Sequence, residues 1–580
     1  MKICLIHPYF LEQRIHEEEI SAPPIGIYYV GAVLKAEGHD VDILNWYNIQ
    51  GSLDEATALL REKEPQLVGF SVLHANRWGA IRLARLVKEV VPEAWVVFGG
   101  VGATFLWKHL LKNFPEIDVV VTGEAEATML ELVRAIEQGD REHISNIKGL
   151  TLRKNGKIVF TGKRPLIGEL DTLPDPARFF TFQHVISSRG CPWDCTFCGS
   201  PRFWGKKVRY HSPHYFVDQL ERLFKKGVSF FYVSDDTFTI KKKRVLEICN
   251  EIIERGLQIT WQAISRVNYV DREVLYWMRK AGCIQISYGV ESGSPTIRKR
   301  LNKQLKEKEI ERAFSSTKAH GILPRAYFIY GSPGESKKTI KDSIALIRKI
   351  KPLSAIFYIL DIFPGTRLYE DFKIRSRRGD EIWLQPIEDI MYHQTDPKLS
   401  NEMVLQFGQM LREAFYSSLP DFVRSLELVD SPDLAPFHAD FLSRLGMTFS
   451  HGEYSQNPLI PDPEGLAQEL FIKSLSYFPD YRAYLGLAIL KQKSGDHSGA
   501  IEILREALGH HPQSEQLHIC LAVSFMNLGQ LKAAIDLLER FPNSPEALRY
   551  LANCYGAAGY KEKERICLER LDSILPPADN

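Results

Sequence analysis

Short apolar runs alternate with amphipathic stretches through the first 150 residues. KICLIHP reads as a strand, and IGIYYVGAVLKAEG as a helix that Gly38 closes. VDILNW, LVGFSVL, WVVFGG and DVVVTG read as further strands, with helical patterns between them. Runs that are apolar throughout suit strands covered on both faces, so the pattern predicts a doubly wound parallel sheet. Polar or glycine-rich sequence follows most of these strands at the carboxyl edge, where such sheets bind ligands. Residues 150–180 read as a hairpin and a proline-containing linker. From Val185 to about Phe363 the alternation resumes: VSFFYVSDD, ITWQAIS, IQISYGVES, RAYFIYGSPGE and AIFYILDIFPG are strands between charged helices. This predicts a second α/β domain, a partial (β/α)6 barrel of the TIM type. A less regular stretch follows, in which EMVLQFGQMLREAFYSSL is one clear amphipathic helix.

From residue 461 the pattern is almost all helix, and it repeats. Leu487-Ala488, Leu521-Ala522 and Leu551-Ala552 are spaced by 34 and 30 residues, and the same offsets relate Gly495, Gly529 and Gly559. In the first unit Tyr484, Leu487, Ala488, Gly495, Ala500, Ala507 and Pro512 match positions of the tetratricopeptide pattern, which this all-α segment resembles. Stacked helix pairs present a concave surface, which suits a peptide or protein partner; a lid or a dimerisation surface is the alternative. Glu564 stands in the third unit where a small residue is expected, which reads as a terminal cap.

Composition narrows the function classes. The chain has 580 residues, with 73 Lys+Arg against 72 Asp+Glu and a net charge of +1, which argues against general nucleic-acid binding through a global basic field. It is 44% hydrophobic and 25% charged, ordinary values for a soluble globular protein. No run of about eighteen apolar residues exists, so no membrane span is predicted. MKICLIHPYF lacks a secretory pattern, and a cytoplasmic, reducing location is expected. Nine cysteines are too sparse for a disulfide scaffold.

Three of the nine fall within eight residues: Cys191, Cys195 and Cys198 in SSRGCPWDCTFCGS, spaced C-x3-C-x2-C after the short strand VISSRG. Three thiolates can ligate three irons of a 4Fe–4S cluster and leave the fourth iron open for a small molecule carrying an amine and a carboxylate. A structural zinc site is the alternative; it needs a fourth ligand, for which His211 or His214 could serve.

With Pro192, Trp193 and Phe197 around it, the triplet resembles the cluster motif of the radical S-adenosylmethionine (SAM) superfamily. Later strand ends resemble that family's SAM-contacting motifs. The resemblance implies that Asp235 and Asp236 in FYVSDDTFT meet the SAM amino group. Ser265 and Arg266 in WQAISR end the third strand, where an arginine pairs with the SAM carboxylate. Glu291 and Ser292 in SYGVESGS stand where a polar residue meets the ribose. Gly331 and Gly334 with Pro333 in YGSPGES form a turn that lets backbone approach the adenosine.

The N-terminal domain resembles cobalamin-binding domains, which are flavodoxin-like and Rossmann-type. Ser71-Val72-Leu73 matches the family's S-x-L, Gly99-Gly100 its paired glycines, and Gly123-Glu124 and Pro23-Pro24-x-Gly26 match segments of the cobalamin-dependent radical SAM subgroup. The D-x-H-x-x-G signature that supplies a histidine to cobalt is absent: His7, at the end of the first strand, and His16, in the loop beyond it, do not sit in such a motif. Base-off cobalamin without a motif histidine is expected, with His74 or Arg77 nearby.

The organisation expected is a cobalamin-binding domain over 1–145, a linker over 146–180, a radical SAM core over 181–370, a helix-containing connector over 371–460 and repeats over 461–580. The resemblance implies three cofactors, a 4Fe–4S cluster, SAM and cobalamin, and an external one-electron reductant of flavodoxin or ferredoxin type. It implies methylation of an unactivated carbon through a 5′-deoxyadenosyl radical and methylcobalamin, as in class B methyltransferases. A non-methylating rearrangement, cyclisation or oxidation with the same cofactors is the alternative. Methylthiotransfer would need a second cysteine set in the first domain, which has only Cys4. A repeat scaffold with a structural metal domain is the non-enzymatic reading.

Overall fold

The structure, a computed structural model, describes residues 1–12, 21–49 and 52–574; His16 lies outside them. The chain forms two compact units, one of residues 1–316 and 324–415, the other of residues 317–323 and 416–580.

The first unit holds two large sheets. One contains β1 (Lys2–Pro8), β2 (Asp40–Trp46), β3 (Leu67–Ser71), β4 (Trp95–Gly99), β5 (Val119–Val121), β6 (Leu150–Lys154) and β7 (Lys157–Phe160), in the order β2-β1-β3-β4-β5-β6-β7. The first five strands pair in parallel, as their continuous apolar runs predict. Ile3, Leu5, Leu67, Val97 and Val119 form the core between this sheet and its helices. The helix Ile25–Ala36 ends where Gly38 adopts φ +87°. The hairpin expected within 146–180 is β6–β7, and it continues this sheet antiparallel from β5. Asn155 and Gly156 both have positive φ, 51° and 73°, which gives the turn the twist a two-residue hairpin needs.

The second sheet runs β15-β14-β13-β12-β11-β8, from β8 (His184–Val185), β11 (Phe230–Val233), β12 (Thr260–Ser265), β13 (Cys283–Glu291), β14 (Leu323–Tyr330) and β15 (Ser354–Ile359). From β11 on, each strand is followed by helix, and with β8 at the edge this gives the partial (β/α)6 barrel. The sequence reading of VISSRG as one strand is corrected. It splits into β8, in this sheet, and β9 (Ser188–Arg189), which pairs antiparallel with β10 (Arg209–Tyr210). The cause is Asp235, whose carboxylate accepts from the backbone N–H and hydroxyl of both Ser187 and Ser188 and draws the chain out of the sheet.

In the second unit, helix pairs Tyr481–Lys493 with His497–His510, Glu515–Asn527 with Leu531–Leu538, and Pro545–Ala557 with Lys561–Ile574 form the repeats. Gly495, Gly529 and Gly559 turn each pair at φ +80°, +73° and +80°. Glu564 lies against Gly556, where a Cβ would come 2.8 Å from its Oε1. Before these pairs, Pro463–Leu475 packs on Ala435–Ser450: the Ser474 hydroxyl donates to the Ala439 carbonyl at 2.8 Å, and Gly446 faces the Phe471 ring. Among the described residues, no helix is long and apolar enough to cross a membrane.

Candidate active site

Cys191, Cys195 and Cys198 lie on the loop after β9 as free thiols. The loop is pinned from several sides. Thr196 N–H donates to the Leu301 carbonyl at 3.1 Å, Asn302 Nδ2 to the Asp194 carbonyl at 2.7 Å, and Leu368 N–H to the Thr196 carbonyl at 3.1 Å. Burial pushes the Cys198 thiol up to about 12 and raises Cys191 and Cys195 as well, and neighbouring thiols of the triplet add to the rise at Cys191 and Cys198. Thiols so placed ionise when bound metal supplies positive charge. Neither proposed zinc histidine is available to the triplet. His211 is buried between the Tyr29 hydroxyl and Asp171, each at 2.9 Å, and His214 is bound to Glu251 at 2.8 Å.

The strand-end residues separate into two groups. Asp236 faces a cavity beside the loop; the Ser200 hydroxyl donates to it at 2.7 Å, and burial raises its pKa. Arg266 stacks on the Trp193 ring, 4.0 Å from its centroid, and donates to the Gln304 carbonyl at 3.2 Å. Lys303, which sequence reasoning missed, pairs with Glu291 at 2.8 Å, and its charge, ahead of that of Arg266, favours the Cys195 thiolate. Two cations therefore stand beside Cys195, a charge pattern that suits an anionic group held near this thiol. The other strand-end residues are committed to protein. Asp235 is occupied by Ser187 and Ser188, Ser265 by Thr239, and the wholly buried Ser292 by Ser343 and the Ser294 N–H. Gly331 and Gly334 have φ +74° and +70°, which a side chain tolerates poorly, and the Gly331 N–H is bound by Glu335.

The cavity has a volume of about 450 Å³ and opens at the carboxyl edge of the first sheet. Ser71, Leu73, Gly99, Gly100, Gly123 and Glu124 all line it, as does Gly26. Leu5, Ile27, Val97, Val121 and Met129 make its wall apolar. A Cβ added at Gly26 or Gly123 would meet nothing within 4 Å, and one at Gly99 would only touch Val121 at 4.0 Å, so these glycines leave space that side chains would fill. Gly100 is glycine for another reason: at φ +94° its Cβ would lie 2.7 Å from the Val72 carbonyl oxygen. The bare glycine wall and apolar lining fit a large planar group. His74 and Arg77 do not line this cavity. His74 packs edge-on against Trp383 at 4.3 Å, and Arg77 is held by the carbonyls of His74, Ile387 and Glu388. Among the described residues, no histidine lines the cavity.

Gly199, Ser200, Phe203, Trp204 and Asp236 line the same cavity from the cluster side. Where the two domains meet, Glu124 and Glu126 form a buried ionic group with Arg189 and Arg209, two residues absent from the sequence reading. Arg189 donates Nη1 to Glu124 at 2.7 Å and Nη2 to Glu126 at 2.6 Å, and Arg209 Nη1 reaches both Glu124 oxygens at 2.8 Å. Burial opposes the Arg189 charge, and the two glutamates outweigh it and raise its pKa. The paired acids of GEAE and an arginine beside the cysteines were the available signals.

A cysteine-triplet barrel joined through one cavity to a glycine-walled sheet defines a radical SAM enzyme with a cobalamin-binding domain. Family models agree: the B12 binding domain matches residues 19–133, the Radical SAM superfamily residues 185–347 and a tetratricopeptide repeat residues 491–544. An uncharacterized methyltransferase of Pyrococcus horikoshii is 31% identical over 72% of this chain and 92% of its own. The anaerobic magnesium-protoporphyrin IX monomethyl ester cyclase of Rubrivivax gelatinosus is 30% identical over 64% of this chain and 70% of its own. The radical SAM methyltransferase TsrM of Kitasatospora setae, solved with cobalamin and a 4Fe–4S cluster, shares the fold at 17% identity, with a TM-score of 0.58 over 82% of this chain and 99% of that one. The chain belongs to the cobalamin-dependent radical SAM family.

Proposed function

We propose that this enzyme transfers a methyl group to an unactivated carbon. One observation supports the reading: Gly199 and Ser200, which directly follow Cys198, line a single cavity together with the glycine-walled sheet edge, so a carbon held there would lie between the two cofactor seats. When bound, the cluster with SAM supplies hydrogen abstraction and cobalamin supplies the methyl group. Cys191, Cys195 and Cys198 would hold the cluster, and Arg266 and Lys303 would face the SAM carboxylate. Asp236 would accept from its amino group. Gly26, Gly99 and Gly123 would leave room for the corrin, and the apolar wall would keep water from a reactive carbon. A reductant of flavodoxin or ferredoxin type would deliver electrons, and the repeats would hold a peptide or protein partner.

Cyclisation is the second reading, favoured by the cyclase relative at nearly the same identity as the methyltransferase. Metabolite mass spectrometry of producing cells, with wild type and Cys195→Ala compared, separates the two. A product heavier than its precursor by one methylene supports methylation; a product formed without that gain overturns it. Anaerobic reconstitution tests the cofactors: wild type binds iron and sulfide and cleaves SAM to 5′-deoxyadenosine. Binding of zinc alone would sink the enzyme reading.

A further inference from the structure

We propose that Arg189 is a positioning residue that fixes the cluster-bearing loop at a set distance from the cobalamin seat, through its joint hold on Glu124 and Glu126. The inference rests on the cofactor reading above. Arg189 is separated from Cys191 by Gly190 alone, and Gly190 has φ +104° with the Lys207 carbonyl oxygen 3.2 Å from where a Cβ would stand. The backbone between the guanidinium and the first cluster thiol is therefore short and fixed. At its other end the guanidinium grips the loop after β5, where Gly123 and Glu124 line the cobalamin cavity. Its faces are packed as well, with its carbon 5.0 Å from the Tyr29 ring centroid and 5.4 Å from that of Trp204.

The two sides of the cluster loop are anchored differently. The Cys195 side is tied to Leu301, Asn302 and Leu368, all later in the chain than β8. The Cys191 side is tied to the first domain through Arg189. Glu124 is held in turn by Arg209 and by the Ile167 N–H at 2.7 Å, so the carboxylate cannot follow the arginine if the loop shifts. A planar fork gripping two buried carboxylates specifies direction as well as distance, which a lysine at this position would not. Replacing a buried ion pair by apolar groups is often neutral or stabilising, so stability alone does not account for this four-residue group, and a positioning role is what the variants below test.

The test uses the full-length protein with its cluster reconstituted and cobalamin bound. The reduced cluster and cobalt(II) each carry an unpaired electron, so pulsed electron paramagnetic resonance reads the distance between them. Wild type is expected to give one narrow distance. Glu126→Gln, which keeps shape and the Glu124 pair, and Arg189→Lys, which keeps charge but loses the fork, are expected to lose that narrow distribution while cluster and cobalamin remain bound. A role limited to stability would lower the melting temperature and leave the distance unchanged. A wild-type distribution in Glu126→Gln overturns the inference, whether or not the Arg189 variant folds. If wild type itself binds no cobalamin, the cofactor reading falls, and this inference with it.

Discussion

Lys303 and Glu291 form an ion pair of 2.8 Å in which both side chains are almost wholly shielded from water, 7% and 6% exposed. Glu291 also has φ +65°, a conformation rare outside glycine. The pair holds the end of β13 against the segment that follows the short helix Pro295–Arg300. Lys303→Met strands a buried carboxylate and is expected to cost about 3–5 kcal/mol in denaturant unfolding. Lys303→Met combined with Glu291→Gln removes the stranded charge and should recover part of that loss. Full additivity of the two changes would show that the residues do not act as a pair.

Adjacent acids at the end of β11 should respond differently to the same substitution. Asp235→Asn replaces an acceptor surrounded by four donors with a group that must itself donate. A stability loss of about 2–3 kcal/mol and poor cluster yield are expected. Asp236→Asn should assemble its cluster normally and bind SAM about tenfold more weakly, as loss of one charged hydrogen bond implies. Calorimetric titration of reconstituted protein checks the second, and iron content the first.

Glu335 gives a pH dependence with a definite sign. Burial pushes its carboxyl from the ordinary 4.5 up to about 7, against the opposing effect of the Ser332 and Gly331 N–H donors. Between those values the folded protein holds a proton that the unfolded chain has lost. Stability therefore falls as pH rises through that window and levels off above it. Glu335→Gln keeps the acceptor oxygen and removes the titration, so its stability curve should lack this decline. Above the window it should exceed wild type by on the order of 3 kcal/mol. Urea unfolding across the pH range decides, and a decline unchanged in the variant would rule Glu335 out as its source.

Two cavity glycines should fail in different ways. Gly100→Ala drives a Cβ to within 2.7 Å of the Val72 carbonyl oxygen and is expected to destabilise the domain itself. Gly123→Ala meets no atom within 4 Å and suffers chiefly from φ +75°, a strain of about 1–2 kcal/mol. Its protein should fold and lose cobalamin affinity, read by the absorbance of retained cofactor after desalting.

The elements carrying local signals were legible in the sequence. The cysteine spacing, the paired glycines and the Asn155–Gly156 turn depend on neighbours within a few residues. The ionic group around Arg189 was not legible, because Glu124 lies 65 residues from it and charge alone names no partner. The same limit applies to Asp235 and Asp236. The strand alternation places them on opposite sides, but which one meets Ser187 and which meets the cavity depends on how β8 breaks off. His74 and Arg77 looked suitable by proximity to S-x-L, and Trp383, over 300 residues on, draws both to its ring instead.

The hairpin β6–β7 also bears on how the protein behaves among other proteins. A parallel sheet ending at β5 would offer a row of unpaired amides to any passing strand. Instead the chain supplies its own last strands, with Lys154 and Lys157 flanking the turn and Trp107 stacked on Phe160 at 5.6 Å. The edge of the sheet thus passes from the wholly buried β5 to a short strand with a lysine at its start, and charge and shortness at an edge both discourage further strand addition.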